Sequence, residues 1–236
     1  MAYYHAVNLG VSVGGGVCGA QSFSVSAATP ATPIFQLGSV ESCGIMKSPQ
    51  RYTASLTVSG GTAVVSGDWT DIISDNSLTV ACPLFGISGA ACTGVTFTGR
   101  AGSQPTATYT FSGTGFTTGG GALTGACGCG VATEDISGPT AAYNITASCT
   151  VSYLEEFGSD EIVAVVASNP IVRGTFENFE GVSGAYSVSI GSLSVALVEP
   201  YLLGYGGRGS VGGFGTGSVT WLGGDNGDPS GGLHIG

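Results

Sequence analysis

The chain has 236 residues, of which 42% are hydrophobic and only 8% are charged, and its formal net charge is −10. Its 5 basic residues are too few to neutralise a phosphate backbone, so the composition excludes tight binding of DNA or RNA. A free soluble domain usually carries about 25% charged residues. So low a charge therefore favours a subunit whose surface is buried against copies of itself.

Alternating apolar and polar residues predict β-strands along most of the chain, separated by turns rich in the 43 glycines. The predicted strands are 7–13, 20–26, 34–37, 51–59, 62–66, 77–81, 94–99, 106–112, 140–153, 172–176, 185–195 and 217–222. One helical turn is predicted over 69–74, with Asp68 as its cap. Residues 162–167 fit a helix or a buried strand, and their β-branched residues favour the strand.

These strands predict an all-β fold, an antiparallel barrel or sandwich with long Gly-rich loops, as a single domain over 1–222. Residues 223–236 are rich in Gly and Asp, and we expect an extended tail that becomes ordered only against a neighbour. No apolar run approaches the about 18 residues of a membrane helix, and the first residues lack the features of a signal peptide. We therefore expect a soluble protein without a membrane partner.

A motif occurs twice, in units at about 20–59 and 185–222. Each copy reads as a strand, a connection, a short apolar strand ending in glycine, a loop and a strand. The glycine is Gly38 in the first copy and Gly204 in the second. The motif predicts an internally duplicated strand–loop–strand unit in which these glycines hold equivalent places. Coincidence is the alternative, because Ser, Val and Gly are common throughout the chain.

Seven cysteines form an odd set: Cys18, Cys43, Cys82, Cys92, Cys127, Cys129 and Cys149. Without an export signal, we expect them to be reduced and to serve as small buried hydrophobes. A Cys82–Cys92 bridge across a hairpin is one alternative, and a four-cysteine zinc site from distant segments is another. The spacing of Cys127 and Cys129 is too tight for a zinc knuckle.

The residues of common catalytic sites are scarce. The only histidines, His5 and His234, lie near opposite ends of the chain. Residues 204–209 fit G-x-G-x-x-G, but no strand–helix context accompanies them, and 225–228 resembles a calcium loop without its later Glu. The sequon at Asn144 has no secretory context. We therefore predict that the chain is not an enzyme and has no catalytic residues, cofactor or metal.

One dense acidic group stands out: Glu155, Glu156, Asp160 and Glu161. Four carboxylates in seven positions could hold calcium or form an acid pair, although a solvated acidic loop is the more ordinary interpretation. Where DNA passes, such a group would repel phosphates. We therefore expect these four residues to face a channel or its rim.

Three segments resemble a group of tail tube proteins of tailed bacteriophages. These segments are Gly19-Ala20-Gln21-Ser22-Phe23-Ser24-Val25-Ser26 with Ile34-Phe35-Gln36-Leu37-Gly38 and Glu41; Tyr109-Thr110-Phe111-Ser112-Gly113-Thr114-Gly115-Phe116-Thr117; and Glu199-Pro200-Tyr201-Leu202-Leu203-Gly204 with Gly207-Arg208. The resemblance covers well under half of the chain. It implies a β-barrel or sandwich subunit that forms hexameric rings stacked into a tube for DNA passage, and it carries over no catalytic residue.

The sequence thus predicts a virion structural protein, a tail tube subunit assembled in the host cytoplasm, with copies of itself and other tail proteins as partners. DNA would pass without specific binding. A capsid decoration or fibre-base protein is one alternative. A secreted self-assembling β filament or adhesin, which would use its cysteines as disulfides, is another.

Overall fold

The structure is a computed structural model that describes residues 10–38, 40–59, 63–118, 140–156, 161–179, 186–190, 193–209, 215–224 and 231–236. The described chain is almost entirely β, which confirms the predicted all-β fold. The strands are β1 (Gly10–Val13), β2 (Gly16–Ala28), β3 (Ala31–Phe35), β4 (Ser42–Lys47), β5 (Arg51–Ser59), β6 (Gly67–Asp68), β7 (Leu78–Ala81), β8 (Phe85–Arg100), β9 (Thr106–Gly113), β10 (Gly115–Thr118), β11 (Thr140–Glu155), β12 (Ile162–Asn178), β13 (Ser187–Ile190), β14 (Leu193–Leu197), β15 (Tyr201–Arg208), β16 (Thr216–Gly223) and β17 (Leu233–Ile235). The helix α1 covers Trp69–Ser74.

Six strands close into an antiparallel β-barrel, in the order β8, β7, β1, β2, β5 and β9, with β9 pairing back to β8. Every second residue of β5 points inward, and Ala54, Leu56 and Val58 are buried. Leu56 lies opposite Tyr109 of β9, and both side chains are fully buried. The period-two alternation that predicted the strands is therefore the pattern that fills the barrel.

The barrel continues into an open sheet, because the second half of β8 also pairs with β11. From β11 the sheet passes to β12, β16 and finally β15. A four-stranded sheet in the order β13, β14, β17 and β6 packs on the buried face of this extension. Leu197 of β14 lies so close to Gly174 of β12 that a Cβ there would meet its Cδ1 at 2.6 Å. Barrel, sandwich and Trp69 of α1 share one hydrophobic core.

The two predicted repeat units differ in their strand pairing. In the first unit β2 pairs with β5, and β3 and β4 form a separate hairpin between them. In the second unit β13 pairs with β14 in one sheet, while β15 pairs with β16 in another. Gly38 occupies a turn with φ of 84°, whereas Gly204 lies inside β15. The prediction that these glycines are equivalent is wrong, and the pairing gives no support to a duplication.

The C-terminal segment is part of the fold rather than a tail that needs a neighbour. Strand β17 pairs with β14 and with β6, and Leu233 and Ile235 are fully buried. The tail prediction is therefore wrong for 231–236, while 225–230 lie outside the described residues. The alternation of apolar and polar residues covers only Leu233, His234 and Ile235. Three residues are too short a pattern to identify a strand from sequence.

The helical turn over 69–74 is confirmed, although Asp68 at its N-cap makes no side-chain capping bond. Residues 162–167 lie in β12, as the β-branched residues predicted. The predicted strand over 62–66 is wrong, because 63–66 are bends and irregular backbone. The predicted strand over 185–195 is two strands, β13 and β14.

Candidate assembly surfaces

Strands β3 and β4 form a hairpin, here called the arm, that spans residues 30–48 and belongs to neither of the two main sheets. Its base is closed by the backbone N–H of Ser48, which donates to the carbonyl oxygen of Pro30 at 2.9 Å. Apart from each other, β3 and β4 make only marginal contacts with other described elements. The arm is therefore an insertion between β2 and β5 that the core does not cover.

The arm exposes large apolar side chains. Leu37 and Val40 are 103% and 96% exposed, and Phe35 is 57% exposed. Ile34, Ile45 and Met46 are also about half exposed. Together the six expose on the order of 700 Å² of apolar surface, if a large side chain contributes about 170 Å². The largest contiguous apolar patch of a typical monomer is about 300–600 Å². The exposed area of the arm is divided between the two faces of the hairpin, so each face approaches the size of such a patch, and the arm is a candidate interaction site.

Strand β15 is a second uncovered element, at the free end of the larger sheet. It pairs with β16 on one side only, and it makes no more than marginal contacts with other described elements. Four of its large side chains are exposed: Tyr201, Leu202, Leu203 and Tyr205. A strand with an unpaired row of N–H and C=O groups and apolar side chains is a template for another strand.

Glycines keep the backbone of β15 accessible. The strand contains Gly204, Gly206 and Gly207 among its eight residues. A Cβ built on Gly204 would meet no atom within 4 Å, so this glycine is not required by packing inside the chain. Glycine inside a strand often marks a place where another backbone approaches closely.

The outward face of the barrel, here called the hydroxyl face, carries rows of Ser and Thr. Thr57, Thr108, Thr96 and Thr146 stand side by side on β5, β9, β8 and β11. Neighbouring hydroxyls bond to each other, with 3.1 Å between the Oγ1 atoms of Thr57 and Thr108. Similar bonds join Thr98 to Thr106 at 2.9 Å and Ser26 to Thr53 at 2.7 Å. The hydroxyl face is therefore polar, and it has arginines at its margins, where Arg173 of β12 lies opposite Thr146 and Arg100 ends the row on β8.

Three residues of the predicted acidic group lie at one end of the β11–β12 hairpin: Glu155, Glu156 and Glu161. Asp160 lies outside the described residues. The Arg51 guanidinium donates to Glu155 Oε1 at 3.5 Å, and it lies 4.7 Å from the centre of the Tyr153 ring. Glu155 is thus paired with Arg51, and this pair joins the hairpin end to β5. Which direction the group faces in an assembly stays a prediction.

Among the described residues, those considered for catalysis do not form a known catalytic arrangement, and His5 lies outside the described residues. His234 Nδ1 lies 2.7 Å from Asp68 Oδ1, and this contact joins β17 to β6 at the surface. Residues 204–208 of the G-x-G-x-x-G match lie inside strand β15, so they do not form the turn before a helix that cradles a phosphate. Among the described residues, no three His, Cys, Asp or Glu side chains are grouped to hold a metal ion.

Five of the seven cysteines are described, and all five are free thiols. Cys18, Cys82 and Cys92 are buried, as predicted, and the alternative Cys82–Cys92 bridge is absent. Burial raises the pKa of Cys92 to about 12. Cys43 is exposed on the arm. Cys127 and Cys129 lie outside the described residues.

Within the part of the chain that the structure describes, no helix is long and apolar enough to cross a bilayer. No protein-family model matches the chain, and no curated protein is significantly similar to it.

The arm and β15 were missed as sites by sequence reasoning. Both were identified only as short apolar strands, the second from Tyr201 to Gly204. A partial signal was present, because each strand carries apolar residues at consecutive positions instead of alternating ones. Exposure on both faces follows from that pattern only when no second layer covers the strand.

Proposed function

We propose that the chain is a virion structural protein, a tail tube subunit that self-assembles into stacked rings around a channel for DNA. The observation that carries the proposal is the concentration of exposed apolar side chains on the arm and on β15. Exposed apolar surfaces favour self-assembly of any kind, and the resemblance of the sequence motifs to tail tube proteins favours a tube over other assemblies. Hexameric symmetry belongs to that resemblance and is part of the proposal.

The exposed area is large enough for a stable contact between subunits. The four large side chains of β15 expose on the order of 400 Å², in addition to the arm, by the same measure of side-chain area. A standard interface buries about 800 Å² on each partner. An arm and a β15 strand of two copies that met would together bury up to about 1,100 Å² of apolar area, which covers the apolar share of a standard interface of about 1,600 Å². Each copy has one arm and one β15, so it can make such a contact with two neighbours, as a ring requires.

Charge supports the same conclusion. Two copies that each carry a net charge of −10 repel one another unless their contact surfaces lack acidic residues. Glu41 and Lys47 are the charged residues of the arm, and they cancel, while β15 contains only Arg208. Acidic groups such as Glu155, Glu156 and Glu161 lie on other elements. Copies can therefore approach through the arm and β15.

Passage of DNA requires a wall that does not hold phosphates. The centre of the hydroxyl face suits this role, because hydroxyl groups carry no charge, and each phosphate neutralised by a cation would add salt-dependent affinity. Arg100 and Arg173, which could add such affinity, lie at the margins of this face. We propose the hydroxyl face as the channel wall and the acidic group at 155–161 as part of the rim. The same net charge of −10 that opposes DNA binding would then favour free movement of the genome.

Negative-stain electron microscopy of the purified protein tests the assembly. Hollow tubes or six-fold rings are the expected result. Monomers that stay isolated at high protein concentration would overturn the proposal. Decoration of purified capsids without tubes would instead assign the chain to another part of the virion.

The role of the acidic group has its own test. In an assembled virion, we expect genome ejection to slow when Glu155, Glu156, Asp160 and Glu161 are all changed to Lys, because the rim would then attract phosphates. The matched control changes the same four residues to Gln, which removes repulsion without adding attraction. Ejection at the wild-type rate by an assembled Lys variant would place the group away from the rim.

A further inference from the structure

We propose that strand β4 of the arm adds to the free edge of β15 in the next copy of the chain, so that the sheet continues from one subunit to another. The inference rests on the proposed self-assembly and names the two surfaces that meet. Within the described part of the chain, each surface supplies what the other lacks, since β15 offers unpaired backbone groups and the arm offers a strand without a covering layer.

The arm presents only one suitable pairing edge. Strand β3 contains Pro33, which has no N–H to donate, and Pro30 precedes the strand. Strand β4 has six residues without proline. Its row of backbone donors is therefore uninterrupted, and its length fits within the eight residues of β15. These differences assign the contact to β4 rather than β3.

Side chains around the two edges favour close approach. The three glycines of β15 leave room beside its backbone, and a Cβ at Gly204 would meet nothing within 4 Å. Ile45 and Met46 of β4 are exposed and would cover Tyr205 and Leu202 of the neighbouring copy. Main-chain hydrogen bonds would set the register, and these apolar side chains would supply the area that association buries.

The contact is head-to-tail, because two different surfaces of the same chain meet. Such heterologous contacts close into a ring when the rotation between copies permits, and otherwise they continue as a chain. An arm that met another arm would instead form a closed pair. The stoichiometry of linked species therefore separates the two arrangements.

Two variants test the contact through assembly. The first replaces 31–47 with Asn-Gly, a two-residue turn that fits the short gap between Pro30 and Ser48. The second is Tyr205→Glu, at a side chain that is 75% exposed. We expect each change to lower the assembled fraction at least about tenfold, as for loss of an aromatic anchor. Circular dichroism and the unfolding midpoint should remain those of the wild type.

Val163→Glu is the matched control, because Val163 is 56% exposed on β12, a strand that belongs to neither surface. It should assemble as the wild type does. Normal assembly by the folded arm deletion or by the folded Tyr205→Glu variant would overturn the inference. Equal loss of assembly in the Val163→Glu control would do the same, because charge alone would then explain the effect.

Cross-linking tests the pairing directly. Cys43 is exposed on β4, so Tyr205→Cys supplies the second thiol in a background with Cys127→Ser and Cys129→Ser. Mild oxidation should give a ladder of dimers, trimers and larger species on non-reducing gels. Controls that keep only Cys43, or that combine Tyr205→Cys with Cys43→Ser, should give no ladder. Dimers alone in the Cys43 control would indicate arm-to-arm contact and overturn the inference.

The same gels separate this inference from the proposed function. Tubes or rings in the microscope without any ladder would refute the β4–β15 contact and leave the tube intact. A ladder without tubes or rings would support the contact and refute the tube.

Discussion

The barrel and the arm are built from similar residues, yet they present opposite surfaces. In the barrel, Phe97 of β8 and Tyr109 of β9 are buried, and their rings meet edge to face with centroids 5.9 Å apart. In the arm, Phe35 and Met46 are more than half exposed. The comparison shows that a covering layer, and not residue type, decides whether an apolar strand stabilises its own chain or remains available for another.

The same difference separates β12 from β15 within one sheet. Strand β12 has neighbours on both sides and is covered by β14 near Gly174, whereas β15 has one neighbour and no cover among the residues that the structure describes. A two-stranded hairpin is only marginally stable by itself, and an exposed edge invites pairing. In the proposed assembly, association would therefore complete the arm and β15, whereas β12 is already covered within its own chain.

The largest expected contrast compares two phenylalanines. Phe97→Ala should lower the free energy of unfolding by about 3–5 kcal/mol, because it leaves a cavity in the barrel. Phe35→Ala should change the same quantity by less than about 0.5 kcal/mol, since the ring is exposed in the monomer. Urea unfolding at protein concentrations too low for assembly measures both.

For the molecules of each variant that are folded, the effect on assembly should be the reverse of the effect on stability. Phe35→Ala should weaken association, and Phe97→Ala should not once the variant is folded. A large loss of monomer stability in Phe35→Ala would mean that the arm packs against its own body.

A pair of glycines gives the next contrast. A Cβ on Gly86 would meet the backbone of Val80 and Ala81 where β8 pairs with β7, so Gly86→Ala should cost about 2–3 kcal/mol by overpacking. Gly204→Ala meets open space, and it should leave the monomer within about 0.5 kcal/mol of the wild type. Unfolding midpoints test both, and equal losses would contradict the distinction between barrel and edge.

Sequence patterns identified the strands that are half buried. Residues 51–59, 106–112 and 140–153 alternate clearly, because one face of each strand lies on the core. The first part of β8 was missed, since Gly86, Gly89 and small residues interrupt the alternation. These glycines reflect close approach of neighbouring backbone or side chains, which depends on strand pairing and is invisible along the chain.

The candidate surfaces were less predictable than the fold. Glu155, Glu156 and Glu161 were found because they are near one another in sequence, and their location at a hairpin end follows from that. The Arg51–Glu155 pair joins residues far apart in the chain, so no local pattern predicts it. Likewise, Leu233 and Ile235 are buried only because β14 and β6 flank them.

Alkaline pH provides a smaller contrast between buried and exposed groups. Burial raises the pKa of Cys92 to about 12, whereas a thiol in the unfolded chain ionises near 8.5. Between about pH 8.5 and 12, the Cys92 thiol therefore keeps its proton in the folded state and loses it in the unfolded state. Stability from this group is complete below about pH 8.5 and falls as the pH rises toward 12, by at most about 1.4 kcal/mol per pH unit.

Burial also raises the pKa of Tyr109, so its effect has the same sign. Urea unfolding from pH 8 to 11 measures the slope, and Cys92→Ala should make it shallower. Cys43→Ala, which removes an exposed thiol outside the core, is the matched substitution for comparison. A slope that Cys92→Ala does not alter would mean that the thiol ionises in the folded protein as readily as in the unfolded chain.

The smallest expected effect concerns the ion pair at the end of the β11–β12 hairpin. Arg51 and Glu155 are 3.5 Å apart, and their side chains are 40% and 35% exposed. Solvent weakens such a pair, so Glu155→Gln should lower the free energy of unfolding by no more than about 0.5 kcal/mol at low salt, and by less at 1 M salt. Glu156→Gln removes the same charge one residue away, at a side chain for which no ion pair is found among the described residues. It should therefore change stability less than Glu155→Gln does. If the two variants lose the same stability at both salt concentrations, the contact with Arg51 contributes nothing, and net charge alone accounts for the change.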